Sequence, residues 1–209
     1  MALRLPRFCA ILDRSLQPAR ALEEWGRLLS DAGVRWVQLR SKQAASGVLL
    51  EETRRLLAVL PEETRLVVND RADVALLAGA AGVHVGQDDI PAAVAREILG
   101  PHSLIGLSTH TPIQLEAARE ELVDYLAFGP IFPTTTKSDT QPAVGLEGLQ
   151  QVRQLTERPL VAIGGITAEN AAAVLSAGAD AVAVISGWQT APDVSSRLEE
   201  FRRALGGLD

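Results

Sequence analysis

The chain has only one cysteine, Cys9, among its 209 residues. A single cysteine cannot form an internal disulfide, and Cys9 lies in an apolar, strand-like run. This pattern is typical of a protein that folds in a reducing compartment. We therefore expect a cytoplasmic location.

An excess of basic residues and long hydrophobic runs are also missing. Lys and Arg number 20 against 26 Asp and Glu, a net charge of -6, whereas nucleic-acid binding needs a concentrated basic face. No stretch approaches the 18 apolar residues of a membrane span, and the apolar run at 8–12 is too short for a signal peptide. We expect no nucleic-acid partner and no membrane partner, so any anionic ligand must be bound by local groups.

Short apolar, strand-like runs alternate with helical patterns along the whole chain. The first run is followed by Leu22, Trp25, Leu28 and Leu29, the spacing of one helix face. A joint of Ala and Gly before a strand recurs three times, which is a weak sign of a repeating unit. Eight such units predict an α/β protein with a single domain over residues 1–209, a (β/α)8 barrel, with a doubly wound sheet as the alternative. The predicted strands are 8–12, 36–40, 65–69, 83–85, 104–108, 125–128, 160–163 and 181–185.

Acidic residues follow the two central strands of this pattern. Asp70 follows the third strand, and Asp88 and Asp89 follow the fourth. Neighbouring parallel strands lie about 4.8 Å apart, so Asp70 and one of the other two would share a rim. A site that offers carboxylates and no cysteine suits Mg²⁺ bound together with a phosphate-bearing ligand. The alternative is that these residues only cap the helices that begin at Ala72 and Pro91.

Other polar residues fall at the same ends of the strands, where barrels build their active sites. Gly164 and Gly165, with the backbone at Ile185 and Ser186, can offer N–H groups to a phosphate, and Thr134 and Thr136 can add hydroxyl donors. Arg40, Lys42 and Lys137 with Mg²⁺ would offset the charge of a diphosphate, roughly -3. The remaining polar residues at these ends are Gln38, Asn69, Gln87, Ser108, His110 and Thr135.

The three histidines show no pairing with a nucleophile. His84 alternates with valines inside a strand, which favours a structural role. His102 follows Pro101 in a loop, where we expect it to be solvated. Helix capping at Thr111 and Pro112 explains the polarity around His110 without chemistry, and a role of His110 as a general base is the less favoured alternative.

Six segments together resemble the thiamine-phosphate synthase family, also called thiamine-phosphate pyrophosphorylase. They are VQLRSK at 37–42, VNDRADVA at 68–75, GVHVGQDD at 82–89, GLSTHT at 106–111, FGPIFPTTTK at 128–137 and AIGGIT at 162–167. The resemblance implies joining of hydroxymethylpyrimidine diphosphate to thiazole phosphate, giving thiamine phosphate and pyrophosphate. It also implies a dissociative route, in which pyrophosphate leaves before the thiazole nitrogen attacks.

The resemblance also implies roles for individual residues. Asp70 and Asp89 would bind Mg²⁺, and Asp88 receives no metal role. The pyrimidine diphosphate would be bound by Gln38, Leu39, Arg40, Ser41, Lys42, Asn69, Ser108 and Lys137, of which Arg40, Lys42, Ser108 and Lys137 are the candidate catalytic residues. The thiazole phosphate would be bound by Thr134, Thr135, Thr136, Gly165, Ile185 and Ser186. Nothing is assigned to the first strand.

Two alternative functions stay open. A thiazole tautomerase shares the barrel, the Ser-x-His segment and the glycine phosphate site, so His110 does not separate it from the synthase. A catalytically silent phosphate-binding barrel would need a defect in the metal and diphosphate residues, and the sequence shows none. Exposed leucines on the helix faces would suit a homodimer.

Overall fold

A closed barrel of eight parallel strands forms the centre of the molecule. The computed structural model describes residues 4–17, 19–134 and 142–209. The strands pair in sequence order, and the last closes on the first, which confirms the predicted (β/α)8 barrel. They are β1 Phe8–Asp13, β2 Trp36–Arg40, β3 Arg65–Asn69, β4 Gly82–Val85, β5 Leu104–Thr109, β6 Tyr125–Phe128, β7 Leu160–Ile163 and β8 Ala181–Val184.

Helices follow the strands and cover the outside of the barrel. They alternate with the strands as predicted, except that the short helix α8 directly after β8 was not predicted. They are α1 Leu22–Asp31, α2 Ser46–Leu57, α3 Ala72–Ala78, α4 Ala92–Leu99, α5 Pro112–Ala117, α6 Gly145–Arg153, α7 Ala168–Ser176, α8 Ser186–Gln189 and α9 Val194–Leu205, with one 3₁₀ turn at Ala118–Glu120. Among the described residues, every helix is too short or too polar to cross a bilayer.

The strands separate two apolar cores because successive side chains point to opposite faces. In β1, Cys9 and Ile11 face the barrel interior, where they pack with Trp36 and Tyr125. Phe8, Ala10 and Leu12 belong to the larger core between the strands and the helices. This alternation decides which polar residues at the strand ends point into the barrel.

The recurring joint of Ala and Gly has two physical causes. Gly33 has φ +73° and Gly178 has φ +111°, so both need the left-handed backbone that glycine adopts easily. Gly82 lies instead against the backbone of Leu104, which a Cβ at that position would overlap. The joint therefore reflects both helix termination and close strand packing.

The helix cap predicted at Thr111, at the start of α5, forms as one half of a capping box. The Thr111 hydroxyl accepts a hydrogen bond from the Gln114 N–H at 3.2 Å, as predicted. The Gln114 side chain binds the N–H of His110, one residue before the cap, at 2.8 Å. A complete box forms at α7, between Thr167 and Asn170.

Candidate active site

A pocket at the carboxyl ends of the strands extends into the barrel and is lined by residues from all eight strands. Its apolar lining includes Cys9, Ile11, Trp36, Tyr125 and Ala127. The polar lining residues are Gln38, Arg40, Asn69, His84 and Ser108. Four of these five, all except His84, were predicted to bind the pyrimidine diphosphate, and the structure brings these four together from the three strands β2, β3 and β5.

Lys42, Asp70 and Asp89 form a charged group at the rim of the barrel. The Lys42 Nζ lies 2.8 Å from a carboxylate oxygen of Asp70. Asp89 is close enough to Asp70 for the two carboxyl groups to interact directly. The expectation that Asp70 and Asp89 would share a rim is thus met, and Asp88 is exposed.

The backbone at Asp70 is unusual in a way that orients the side chain. Asp70 has φ +66°, the left-handed region that non-glycine residues seldom occupy. Its N–H donates to the carbonyl of His84 at 2.8 Å, which fixes this turn at the end of β3 against β4. Asp adopts this region more readily than most residues, and such conformations cluster at functional sites.

Helix capping does not explain the two acidic residues. Neither α3 nor α4 has a side-chain hydrogen bond at its N-terminal cap. Asp89 instead accepts the N–H of Gly86 at 2.7 Å, a bond within the turn after β4. The carboxylates are therefore held by the turns at the rim.

The electrostatics of Asp70 fit a divalent cation. Burial raises the pKa of Asp70, as does the neighbouring Asp89 carboxylate, while Lys42 acts in the opposite direction. A cation between the two carboxylates would offset the repulsion, and oxygen ligands suit Mg²⁺. Among the described residues, no three or more His, Cys, Asp or Glu side chains come together in a group that could bind a metal ion. Two carboxylates completed by phosphate oxygens therefore fit the donor set that Mg²⁺ commonly uses.

Arg40 is held by Asp13, a residue for which no role was predicted from the sequence. Its guanidinium forms an ion pair with Asp13 at the end of β1, and the two residues are register partners in the barrel. The Asp13 carboxylate also accepts the Ser15 hydroxyl at 2.6 Å and the Ser15 N–H at 2.9 Å. The period-two pattern of β1 could have identified Asp13, because it lies two residues after the inward-facing Ile11.

His84 has a larger part in the pocket than its predicted structural role. Its Nε2 lies 2.8 Å from the Ser108 hydroxyl and its Nδ1 lies 2.9 Å from the Tyr125 hydroxyl. Gln87, two residues beyond β4, donates to the Ser108 carbonyl at 2.6 Å. Ser108 is thereby fixed from both its side chain and its backbone.

A second set of predicted residues surrounds the ends of β6, β7 and β8. Gly164 and Gly165 have φ +101° and +62°, and a Cβ at either would overlap the segment 130–133 after β6. The Gly165 carbonyl accepts the Asn170 amide at 3.0 Å, and Ser186 begins α8 directly after Ile185. Thr134 lies among the described residues, whereas Thr135, Thr136 and Lys137 lie outside them.

The other predicted residues occupy different positions. Leu39 is fully buried in the core between barrel and helices, so only its backbone can face a ligand. Ser41 follows β2 and directly precedes Lys42. His110 donates through Nδ1 to the Gly129 carbonyl at 2.8 Å and is not among the residues that line the pocket. His102 is exposed, as expected.

Comparison with known proteins identifies close relatives over nearly the whole chain. The family model described as thiamine monophosphate synthase matches residues 8–188. The chain is 47% identical over 207 residues to the thiamine-phosphate synthase of Koribacter versatilis, covering 97% of each protein. It is 45% identical to that of Azorhizobium caulinodans, covering 93% of this chain and 92% of the relative. Its structure is similar to a thiamine phosphate pyrophosphorylase from Pyrococcus furiosus, with a TM-score of 0.85 and 36% identity over 96% of this chain and 95% of that one.

Proposed function

The chain belongs to the thiamine monophosphate synthase family and is a transferase, and on that premise we propose that it joins hydroxymethylpyrimidine diphosphate to thiazole phosphate. The products would be thiamine phosphate and pyrophosphate. The observation that carries this proposal is the adjacency of two groups: a barrel pocket with Arg40 and Ser108 in its lining, and a rim where Lys42, Asp70 and Asp89 meet. Together they offer an enclosed site beside an anion-binding, metal-binding edge.

The diphosphate of the first substrate would lie at the ends of β2 and β3. Arg40 and Lys42 supply positive charge there, and each is held by a carboxylate before any ligand is present. Asn69 and Gln38 add neutral hydrogen-bonding groups from neighbouring strands. Lys137, outside the described residues, keeps its proposed role through the resemblance of the segment 128–137.

Asp70 and Asp89 would hold Mg²⁺ together with phosphate oxygens of the substrate. The raised pKa of Asp70 supports this assignment, because it comes first from burial and then from the Asp89 carboxylate, and a cation between the two carboxylates would offset both effects. When bound, Mg²⁺ would stabilise the negative charge of the departing pyrophosphate. Lys42 would then be released from Asp70 to face the diphosphate.

The thiazole phosphate would bind where β7 and β8 end. We propose that Gly165, Ile185 and Ser186 hold it through their backbone groups, with Thr134, Thr135 and Thr136 as further donors. The close approach of Gly165 to the segment after β6 supports this, since only a residue without a side chain fits there. This arrangement would place the nucleophile across the pocket from the diphosphate.

Chemistry at this site would depend on charge and positioning. In the proposed route the bond between the pyrimidine methylene carbon and the diphosphate oxygen breaks, its electron pair leaves with pyrophosphate, and the thiazole nitrogen then bonds to the cation. Such a route needs cations around the leaving group and no enzymic nucleophile. The thiol in the pocket agrees with this, because burial raises the pKa of Cys9 and keeps it protonated.

The contacts of His110 do not favour the tautomerase alternative. Its Nδ1 binds the Gly129 carbonyl, and its backbone N–H binds Gln114. Both contacts are those of a residue that organises the loop between β5 and α5. The complete set of Arg40, Lys42, Asp70 and Asp89 also argues against a catalytically silent barrel.

The proposal is tested by identifying the product. The full chain is incubated with hydroxymethylpyrimidine diphosphate, thiazole phosphate and Mg²⁺, and thiamine phosphate and pyrophosphate are measured by mass spectrometry and a coupled assay. We expect equal amounts of both products, and none after EDTA is added. Pyrophosphate formed without thiamine phosphate, or thiamine phosphate formed equally well in EDTA, would contradict the proposal.

A further inference from the structure

Three side chains in the pocket form a continuous hydrogen-bonded chain. The Tyr125 hydroxyl lies 2.9 Å from Nδ1 of His84, and Nε2 of His84 lies 2.8 Å from the Ser108 hydroxyl. A neutral imidazole has one donor nitrogen and one acceptor nitrogen. The position of the proton on His84 therefore decides whether Ser108 accepts or donates towards a ligand.

Tyr125 defines one end of this chain. It is 1% exposed, and burial raises the pKa of its hydroxyl well above the usual range, so the proton stays on the oxygen at neutral pH. Within the described ranges, the only hydrogen bond of this hydroxyl is the one to Nδ1 of His84. If Nδ1 carried a proton, the Nδ1–H and the Tyr125 O–H would be two donors facing each other. If the Tyr125 O–H turned away instead, its buried proton would lack an acceptor, and both arrangements are unfavourable.

Gly106 makes room for this chain in the middle of the sheet. It is the register partner of His84 on one side and of Tyr125 on the other. A Cβ at Gly106 would overlap the ring and hydroxyl of Tyr125 and Nδ1 of His84. The absence of a side chain at this one position lets the two residues meet across β5.

We propose that Tyr125 and His84 are positioning residues that make Ser108 a hydrogen-bond donor towards the substrate. Tyr125 donates to Nδ1, His84 donates through Nε2 to the Ser108 oxygen, and the Ser108 proton points into the pocket. In the part of the chain that the structure describes, the Ser108 hydroxyl has no other side-chain or backbone partner. The substrate atom at Ser108 is then an acceptor, a ring nitrogen or a diphosphate oxygen, and an amino group there is disfavoured. The identity of that substrate rests on the proposed function.

The first test measures the tautomer of His84 without any ligand. Long-range ¹H–¹⁵N NMR correlations distinguish the two neutral tautomers, and with three histidines in the chain the His84 signals are assigned by their loss in His84→Gln. We expect a single tautomer protonated at Nε2 at neutral pH. A proton on Nδ1, or a cationic ring, would overturn the proposal whatever the enzyme's activity.

Two variants separate the Tyr125 hydroxyl from its packing. Tyr125→Phe removes only the hydroxyl and should allow a measurable fraction of the Nδ1-protonated tautomer. Trp36→Phe trims the ring that packs edge-on against Tyr125, at a centroid distance of 5.0 Å, and should leave the tautomer unchanged. If Tyr125→Phe keeps the single tautomer of the wild type, Tyr125 does not orient His84 and that part of the proposal is wrong.

The second test asks which substrate atom Ser108 meets. Calorimetry measures the binding of hydroxymethylpyrimidine alone, and of pyrophosphate with Mg²⁺, to the wild type and to Ser108→Ala. Losing one neutral hydrogen bond should weaken one of the two ligands about 2- to 10-fold. Equal affinities of both proteins for both ligands would overturn the donor role. If neither ligand binds the wild type, the proposed function fails, and the tautomer measurement still decides the arrangement of the chain.

Discussion

Asp13 and Arg40 form an ion pair at the ends of the first two strands, where the barrel opens into the pocket. Asp13 is only 2% exposed, and its backbone N–H and carbonyl are bound at 2.9 and 2.8 Å by the side chain of Gln189 in α8. Arg40 is thus held in place before a substrate arrives. The contact also links the proposed diphosphate site to the helix that follows the proposed thiazole phosphate site.

Removing the carboxylate of Asp13 should destabilise the protein. In Asp13→Ala, a largely buried guanidinium loses its partner, so the free energy of unfolding should fall by about 3 kcal/mol, and the KM for the pyrimidine diphosphate should rise. Urea denaturation and steady-state kinetics measure the two effects. The matched control is Asp73→Ala, which breaks an exposed ion pair with Arg71 and should cost less than about 1 kcal/mol. Equal losses of stability in the two variants would show that the Asp13–Arg40 ion pair contributes no more than an exposed one, which would contradict this account of Arg40.

Replacing Gln189 tests the link between α8 and β1. Gln189 is fully buried, and Gln189→Met would leave the N–H of Asp13 without a partner. The Asp13 carbonyl would lose the Gln189 amide and keep the Leu16 N–H at 3.2 Å. An unsatisfied buried group costs roughly 1–3 kcal/mol, so the free energy of unfolding should fall by about 2 kcal/mol. The exposed Gln150→Met serves as the control, with an expected change within about 0.5 kcal/mol. The account of this link is wrong if thermal and urea unfolding do not distinguish the two variants.

Substitution of Gly106 should disrupt the pocket from within the sheet. Gly106→Ala forces Tyr125 and His84 apart, and overpacking of this kind costs about 1–3 kcal/mol. Turnover should fall as well, because Ser108 loses its orientation. Gly47→Ala is the control: a Cβ at Gly47 meets nothing within 4 Å, and the helix α2 should gain up to about 1 kcal/mol. Urea denaturation should show that the free energy of unfolding falls in Gly106→Ala and rises in Gly47→Ala. A Gly106→Ala variant that is more stable than the wild type would contradict the proposed packing.

Asp70 should make the metal-free protein less stable at neutral pH than at low pH. Its folded pKa is raised, mainly by burial, so its contribution to stability is present below the unfolded pKa and is lost as the pH rises through the folded pKa. Asp70→Asn has no carboxyl group at this position to ionise, so it should not lose this stability. The difference in the free energy of unfolding between Asp70→Asn and the wild type should therefore increase in favour of the variant as the pH rises. Mg²⁺ with pyrophosphate should raise the melting temperature of the wild type and leave that of Asp70→Asn unchanged. A melting temperature that rises equally in both proteins would remove Asp70 from the metal site.

Much of this architecture follows from local sequence patterns. The alternation of strand-like and helical runs predicted the barrel, because each strand is buried on both faces and each helix exposes one side. The rim residues Asp70 and Asp89 were predicted because their position after adjacent strands needs no knowledge of side-chain conformation. The cytoplasmic location and the homodimer stay predictions.

The features that were not predicted depend mainly on contacts between segments that are distant in the sequence. Asp13 meets Arg40 across 27 residues and Gln189 across 176, and neither distance leaves a local pattern. His84 looked structural because its neighbours are valines, and its link to Ser108 and Tyr125 appears only when β4, β5 and β6 are in register. The helix α8 was missed because four residues are too few to show a helical period.

The most direct test of the account is the release of pyrophosphate by the wild type, Asp70→Asn and Asp73→Asn, with both substrates and Mg²⁺ present and the fold of each checked by circular dichroism. We expect the wild type and Asp73→Asn to turn over equally, and Asp70→Asn to be slower by about 100-fold or more, because the Mg²⁺ that would hold the diphosphate loses a carboxylate ligand. Full turnover by a folded Asp70→Asn would contradict the account.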